Sequence, residues 1–151
     1  MKEFNIVDGA INGCYHEAAL KLGISEAEMN VLYVLSYEGS GCYQSLLYKN
    51  TGMTRSTVNT IIRRFEKKEL LYLKSGEGRN TCVFLTEKGE KYLEETVQKI
   101  VDVEDRIFRG WTEEERTTFL RLNRKYAAEL KAGIDQMEGA VSTSKTSCRY
   151  G

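Results

Sequence analysis

The chain has 151 residues, 41% of them hydrophobic and 29% charged. That composition suits one globular domain, or one domain with an assembly arm, large enough to bury a core without staples. Its 22 basic residues balance its 22 acidic ones, which excludes a global polyanion or polycation but leaves room for a local asymmetry.

Proline is absent, so the strongest helix breaker is missing and helix is favoured. The four cysteines, Cys14, Cys42, Cys82 and Cys148, contain no C-x-x-C pair. Free thiols in a reducing cytoplasm are therefore expected rather than a zinc ribbon or a disulfide framework. A single histidine, His16, excludes sites that need two from one chain, and no metal or cofactor is expected. The longest apolar runs are about five residues, far short of a membrane span.

In chain order, Phe4, Val7, Ile11, Cys14 and Ala18 recur at helical spacing, and Gly23 marks the end of a first helix. Ser25 to Glu28 forms a capping box. The helix it opens is apolar nearly all round, from Met29 to Leu35, and so is predicted to be buried. A short helix is expected from Gln44 to Thr51, closed by Gly52 in a left-handed conformation. Thr54 then caps a further helix with Val58, Ile61, Ile62 and Phe65 on one face and Ser56, Thr60, Arg63 and Lys67 on the other.

Leu70–Lys74 and Thr81–Leu85 read as the strands of a hairpin with Arg79 at its tip. Thr86 opens one helix carrying Leu93, Val97, Ile100, Val101 and Phe108 up to a turn near Gly110. Thr112 to Glu115 is a second capping box. The last helix carries Phe119, Leu122, Tyr126, Leu130, Ile134 and Met137 up to Gly139, followed by a tail expected to be mobile.

Two helices joined by a short turn, the second with a polar face, followed at once by a hairpin, make a helix–turn–helix with a wing. The charges agree. Thr54 to Asn80 holds seven basic and three acidic residues, a net +4, whereas Thr86 to Glu115 holds five basic and ten acidic, a net −5. A neutral chain thus contains a basic module able to meet phosphates and an acidic helical one that should face away from them.

The stretch from Met53 to Leu71, Met-Thr-Arg-Ser-Thr-Val-Asn-Thr-Ile-Ile-Arg-Arg-Phe-Glu-Lys-Lys-Glu-Leu-Leu, resembles the MarR family of winged-helix regulators. So do Glu77-Gly-Arg79 and the Leu85-Thr-Glu-Lys-Gly89 that follows, and the likeness extends over roughly residues 25–137. The resemblance implies a mainly α fold with a small β-hairpin. A winged helix–turn–helix DNA-binding domain would span residues 25–110, dimerisation helices would lie at 1–24 and 111–138, and a mobile tail would run over 139–151. It implies a cytoplasmic homodimer that regulates transcription by binding pseudo-palindromic double-stranded DNA. Members often lose DNA affinity on binding a small-molecule effector or on cysteine oxidation, which points to a ligand-responsive repressor. The chain departs from the family at Glu77 for aspartate, Tyr48 for alanine, Thr51 for leucine and Glu69 for glycine. These departures bear on DNA geometry rather than on the fold.

Ser56, Thr57, Asn59 and Thr60, on the early turns of the reading helix, are the candidate base readers. Asparagine can pair bidentately with adenine, and serine or threonine serves either base. Arg55, Arg63, Arg64 and Lys67 are candidate phosphate contacts, with Thr54 at the cap and Lys74 and Asn80 on the hairpin completing the DNA-binding set. Arg79 resembles the family arginine that enters the minor groove. Tyr15, His16, Tyr33 and Trp111, with Tyr37 and Phe108, are placed around a ligand crevice by family likeness alone. Plain core is the competing role for these aromatic residues. Cys14 is read as a buried small hydrophobe rather than a sensor, and Cys42 and Cys82 as structural.

Two other classes compete. An enzyme is disfavoured, because Cys14 and His16 are two apart on a helix and diverge, and no phosphate loop or dinucleotide fingerprint is present. A winged helix used for protein–protein contact would expose apolar residues where this one carries Ser, Thr, Asn, Arg and Lys.

Overall fold

The structure, a computed structural model, describes residues 1–78 and 80–137. Arg79, the expected tail with Cys148, and Gly139 lie outside the described residues. The chain divides into two compact units, Met1–Arg106 and Ile107–Gly151.

The first unit runs α1 (Lys2–Leu22), α2 (Glu26–Glu38), β1 (Cys42–Tyr43), α3 (Gln44–Thr51), α4 (Arg55–Lys67), β2 (Leu71–Ser75), β3 (Thr81–Leu85) and α5 (Glu87–Glu95). It also holds most of α6 (Val97–Gly110). The caps explain where these helices start. The Ser25 side chain accepts from the Glu28 amide while Glu28 Oε2 accepts from the Ser25 amide at 3.0 Å, so two free helix donors are satisfied at once. Thr54 and Thr86 accept from the Thr57 and Gly89 amides in the same way.

The core lies where α2, α4 and the sheet meet. Val31, Leu32, Leu35, Leu47, Val58, Ile62, Phe65, Val83 and Val97 are all almost fully buried. Such burial is the main favourable term of folding, roughly 2 kcal/mol for each large side chain.

Three findings differ from the sequence expectations. First, the hairpin belongs to a three-stranded antiparallel sheet of order β1-β3-β2. Cys42 pairs with Val83 and Tyr43 with Cys82, while β2 pairs with β3 from Leu71↔Leu85 to Ser75↔Thr81. A two-residue strand is too short to show alternation.

Second, the single helix expected after Thr86 is two helices broken at Thr96, whose backbone leaves the helical region at φ −116°, ψ −99°. Its buried hydroxyl donates back to the Tyr92 carbonyl at 2.6 Å, the local bond by which threonine competes with helix propagation.

Third, Cys14 is exposed, not buried. Only Ala19 is buried on α1, and Phe4, Val7 and Ile11 of the apolar stripe remain 43–57% exposed. Cys42 is buried, which pushes its thiol pKa up and leaves it unreactive.

Gly89 fixes how α5 meets the sheet. A Cβ there would lie 1.8 Å from the Leu70 carbonyl oxygen, so only glycine lets the helix sit against that backbone. The second unit contains α7 (Glu113–Asp135), opened by the Thr112–Glu115 capping box. No residue of α7 is buried. Phe108, Trp111 and Phe119 form a ring cluster with centroids 5.0–5.7 Å apart. No helix among the described residues is long and apolar enough to cross a membrane. Among those residues no group of three or more His, Cys, Asp or Glu side chains is placed to hold a metal.

Candidate nucleic-acid interface

The chain turns from α3 into α4 over three residues. Thr51 Oγ1 donates to the Leu47 carbonyl at 2.6 Å and accepts from the Met53 amide at 3.3 Å, and Gly52 takes the left-handed conformation at φ 67°. Thr54 then caps α4. This tight, fully bonded turn fixes the angle between the helices. Val58, Ile61, Ile62 and Phe65 face the core, while Ser56, Thr60, Arg63 and Lys67 lie exposed along the opposite side. Arg55 and Thr57 are exposed near the helix start, where Thr57 Oγ1 bonds Thr54 Oγ1 at 2.9 Å. Thr60 Oγ1 donates to the Ser56 carbonyl at 3.0 Å. Arg63 and Lys67 make no ion pair among the described residues.

Three of the expected DNA-binding residues on α4 have partners on other helices. Asn59 is half-buried, and its Oδ1 accepts from Gln44 Nε2 at 2.8 Å and from the Tyr48 hydroxyl at 2.7 Å. The Arg55 guanidinium sits 5.5 Å from the centroid of the same Tyr48 ring. Tyr48 thus props the reading helix on α3. In the sequence Tyr48 is one of the departures from the MarR-like pattern, whereas Gln44 gives no signal. Arg64 Nη1 donates to Glu28 Oε1 at 3.2 Å, and Lys68 Nζ lies 4.0 Å from the same oxygen. Glu28 is 6% exposed. Burial alone would raise its pKa, but bonds from Ser25 and Arg64 and the charge of Lys68 outweigh burial and lower it.

On the wing, Tyr72 stacks on Phe84 at 5.5 Å, and Lys74 Nζ lies 5.4 and 5.3 Å from the two ring centroids. Lys74 and Asn80 are both exposed. The turn is closed by the Gly76 amide donating to the Asn80 carbonyl at 2.8 Å. The α4 face and the hairpin therefore carry exposed cations and small polar groups, as a groove-reading surface requires.

Two of the four expected ligand residues meet in a cavity. Tyr15 of α1, Tyr33 and Tyr37 of α2 and Glu104 of α6 line a space of about 440 Å³, together with Asn12, Glu26, Met29 and Asn30. The Tyr15 hydroxyl donates to Glu104 Oε1. The buried Tyr33 hydroxyl has no hydrogen-bond partner of ordinary geometry. Burial first, then the Glu104 carboxylate, raises the pKa of both phenols and keeps them protonated. His16 is instead exposed and bonded to Glu26 Oε1 at 2.5 Å. Trp111 belongs to the ring cluster of the second unit. Sequence reasoning missed Glu104 because nothing in its local pattern distinguishes it from the other acids of α6.

Residues 22–79 match the model of the MarR family. No curated protein is significantly similar in sequence. Among solved structures, the chain is similar to a MarR family transcriptional regulator from Silicibacter pomeroyi. That match has 26% identity and a TM-score of 0.65, and covers 83% of this chain and 86% of the other. It shares its fold with S. aureus MepR in a DNA complex, at 21% identity and TM-score 0.62, covering 85% and 96% of the two chains. It also shares its fold with the PcaV regulator of Streptomyces coelicolor bound to its natural ligand, at 19% identity and TM-score 0.60, covering 81% and 89%. The matched segment runs from the end of α1 through the helix–turn–helix to the hairpin turn, and it carries the likeness of this chain to the MarR family of transcriptional regulators.

Proposed function

We propose that the protein is a homodimeric regulator of transcription that binds pseudo-palindromic duplex DNA and acts in the cytoplasm, without chemistry of its own. The observation that carries this reading is α4, which spends one face on the core and exposes Ser56, Thr60, Arg63 and Lys67 on the other, directly before the wing.

Residues 25–110 form the DNA-binding part, and the apolar stripes within 1–24 and 111–138 pair with a second copy. Ser56, Thr57 and Thr60 reach base edges, while Thr54, Arg55, Arg63 and Lys67 set register on phosphates. Lys74, Arg79 and Asn80 belong to the wing, with Arg79 in the minor groove. Asn59 and Arg64 hold the reading helix in place as well as adding polarity and charge to this surface. The cavity walled by Tyr15, Tyr33 and Tyr37 receives a small effector that lowers DNA affinity, so the protein is a ligand-responsive repressor. MepR–DNA and PcaV–ligand complexes exist within the same fold, which supports both halves of the reading.

Selection from a random duplex pool with purified protein tests it. The expected product is a two-fold symmetric motif whose half-sites lie about one helical turn apart and whose affinity falls steeply with salt. Thr60→Ala should shift the selected motif more than it shifts overall affinity. Weak, unselective binding to every duplex would instead favour a protein–protein contact module.

A further inference from the structure

We propose that the cavity formed by α1, α2 and α6 takes an organic cation, an amine or quaternary ammonium that carries an aromatic or branched apolar group. This rests on the reading of that cavity as the effector site and adds the chemical class of what enters it.

The walls supply the first reason. The Tyr15 and Tyr33 rings stand nearly perpendicular, at 81° with centroids 6.5 Å apart, and Tyr37 stacks against Tyr33 at 6.1 Å and 29°. Three electron-rich rings in two crossed planes make the corner in which ammonium groups are held by ring faces.

The second reason is charge. Glu26 and Glu104 are both lining residues, and none of the lining residues is Lys, Arg or His. His16 pairs with Glu26 only through side chains that are 60% and 58% exposed, where water screens the contact. An anionic ligand would therefore meet two carboxylates with no cation in the wall to offset them. A cation gains from both, more from half-buried Glu104 than from Glu26, which is itself 58% exposed and screened.

The third reason is the buried Tyr33 oxygen, which has no hydrogen-bond partner of ordinary geometry. Native structures rarely leave such an atom unmatched; a protonated amine can donate an N–H to it, whereas a quaternary ammonium is held by the rings and carboxylates alone. A space of about 440 Å³ accommodates a ligand of this class.

Calorimetric titration of the full chain without DNA tests the proposal, using benzyltrimethylammonium and its anionic counterpart in size, phenylacetate. Saturable binding of the cation and none of the anion is expected. Glu104→Gln keeps the shape but removes the charge, and should weaken cation binding about tenfold. Equal or tighter binding of phenylacetate overturns the proposal, as does absence of cation binding, or unchanged affinity in folded Glu104→Gln protein. If Glu104→Gln does not fold, Glu26→Gln at the exposed carboxylate must weaken binding instead, and unchanged affinity there is equally fatal. A parallel DNA titration separates the two levels. Cation binding that leaves DNA affinity unchanged overturns the effector reading and keeps the ligand class. DNA release by phenylacetate alone does the reverse.

Discussion

Helices α4 and α7 carry the same kind of apolar periodicity and meet opposite fates. In 13 residues α4 buries Val58, Ile61, Ile62 and Phe65. In 23 residues α7 buries none, and Leu122, Leu130 and Ile134 of its stripe stay 47–52% exposed. Spacing establishes that a helix has an apolar face, but not what covers it. For α4 the cover lies within its own unit; for α7 we assign it to a second copy of the chain.

The sharpest way to break that contrast is to place a charge on each stripe. Ile62→Arg buries an unpaired cation in the core and should abolish cooperative unfolding in urea altogether. Leu130→Arg should leave the far-ultraviolet dichroism of a helical protein while sedimentation shows a monomer. Unfolding of both variants would mean that α7 is covered from within the chain.

Glycine offers the next test. Gly89→Ala drives a methyl into the Leu70 carbonyl and should cost roughly 3 kcal/mol or more in urea unfolding. Gly133→Ala on α7 meets nothing within 4 Å and should stabilise its helix by up to about 1 kcal/mol. A large loss at Gly133 would reveal a close contact that α7 makes with its partner.

Glu28 sharpens the contrast on the α4 side. Removing its charge deprives half-exposed Arg64 and Lys68 of their buried partner and weakens the capping box, so Glu28→Gln should cost about 1–2 kcal/mol at neutral pH. Because folding lowers the Glu28 pKa, its stabilisation is full above the ordinary carboxylate range and disappears as pH falls through the lowered value. Stability curves of wild type and variant should therefore converge only as pH falls below the ordinary carboxylate range. A constant gap down to lower pH would deny the linkage.

The smallest effect is expected at the end of α4. Glu69 sits at φ 58°, the one positive-φ residue other than glycine among those described. The Glu69 amide bonds to the Glu66 carbonyl and the Leu70 amide to the Phe65 carbonyl, both at 2.9 Å. That is the helix terminus in which glycine is favoured. Glu69→Gly should raise the urea midpoint by an amount equivalent to about 0.5–1 kcal/mol, part of the relief being lost to a more flexible unfolded chain.

Most of the fold was legible because it is written locally. Ser25, Thr54, Thr86 and Thr112 all cap the helices they precede, and α3 runs over the expected Gln44–Thr51. What the sequence hid depends on partners far along the chain. The β1 strand exists because Val83 lies beside Cys42. The helix break needs Thr96 buried against Tyr92. Arg64, although exposed, is bonded to buried Glu28, 36 positions away, a contact that a helical wheel does not show. The exposure of Ser56, Thr60, Arg63 and Lys67 was legible, whereas the tie of the Asn59 carbonyl oxygen to α3 was not.

The division of labour along α4 has an evolutionary consequence. Its exposed positions contribute little to the core, so substitutions there should leave stability within about half a kcal/mol. New operator preferences are then open to drift one residue at a time, without a compensating change elsewhere. Asn59 and Arg64 are exceptions: tied to Gln44 and Tyr48 and to Glu28 respectively, they are expected to change only in concert with those partners.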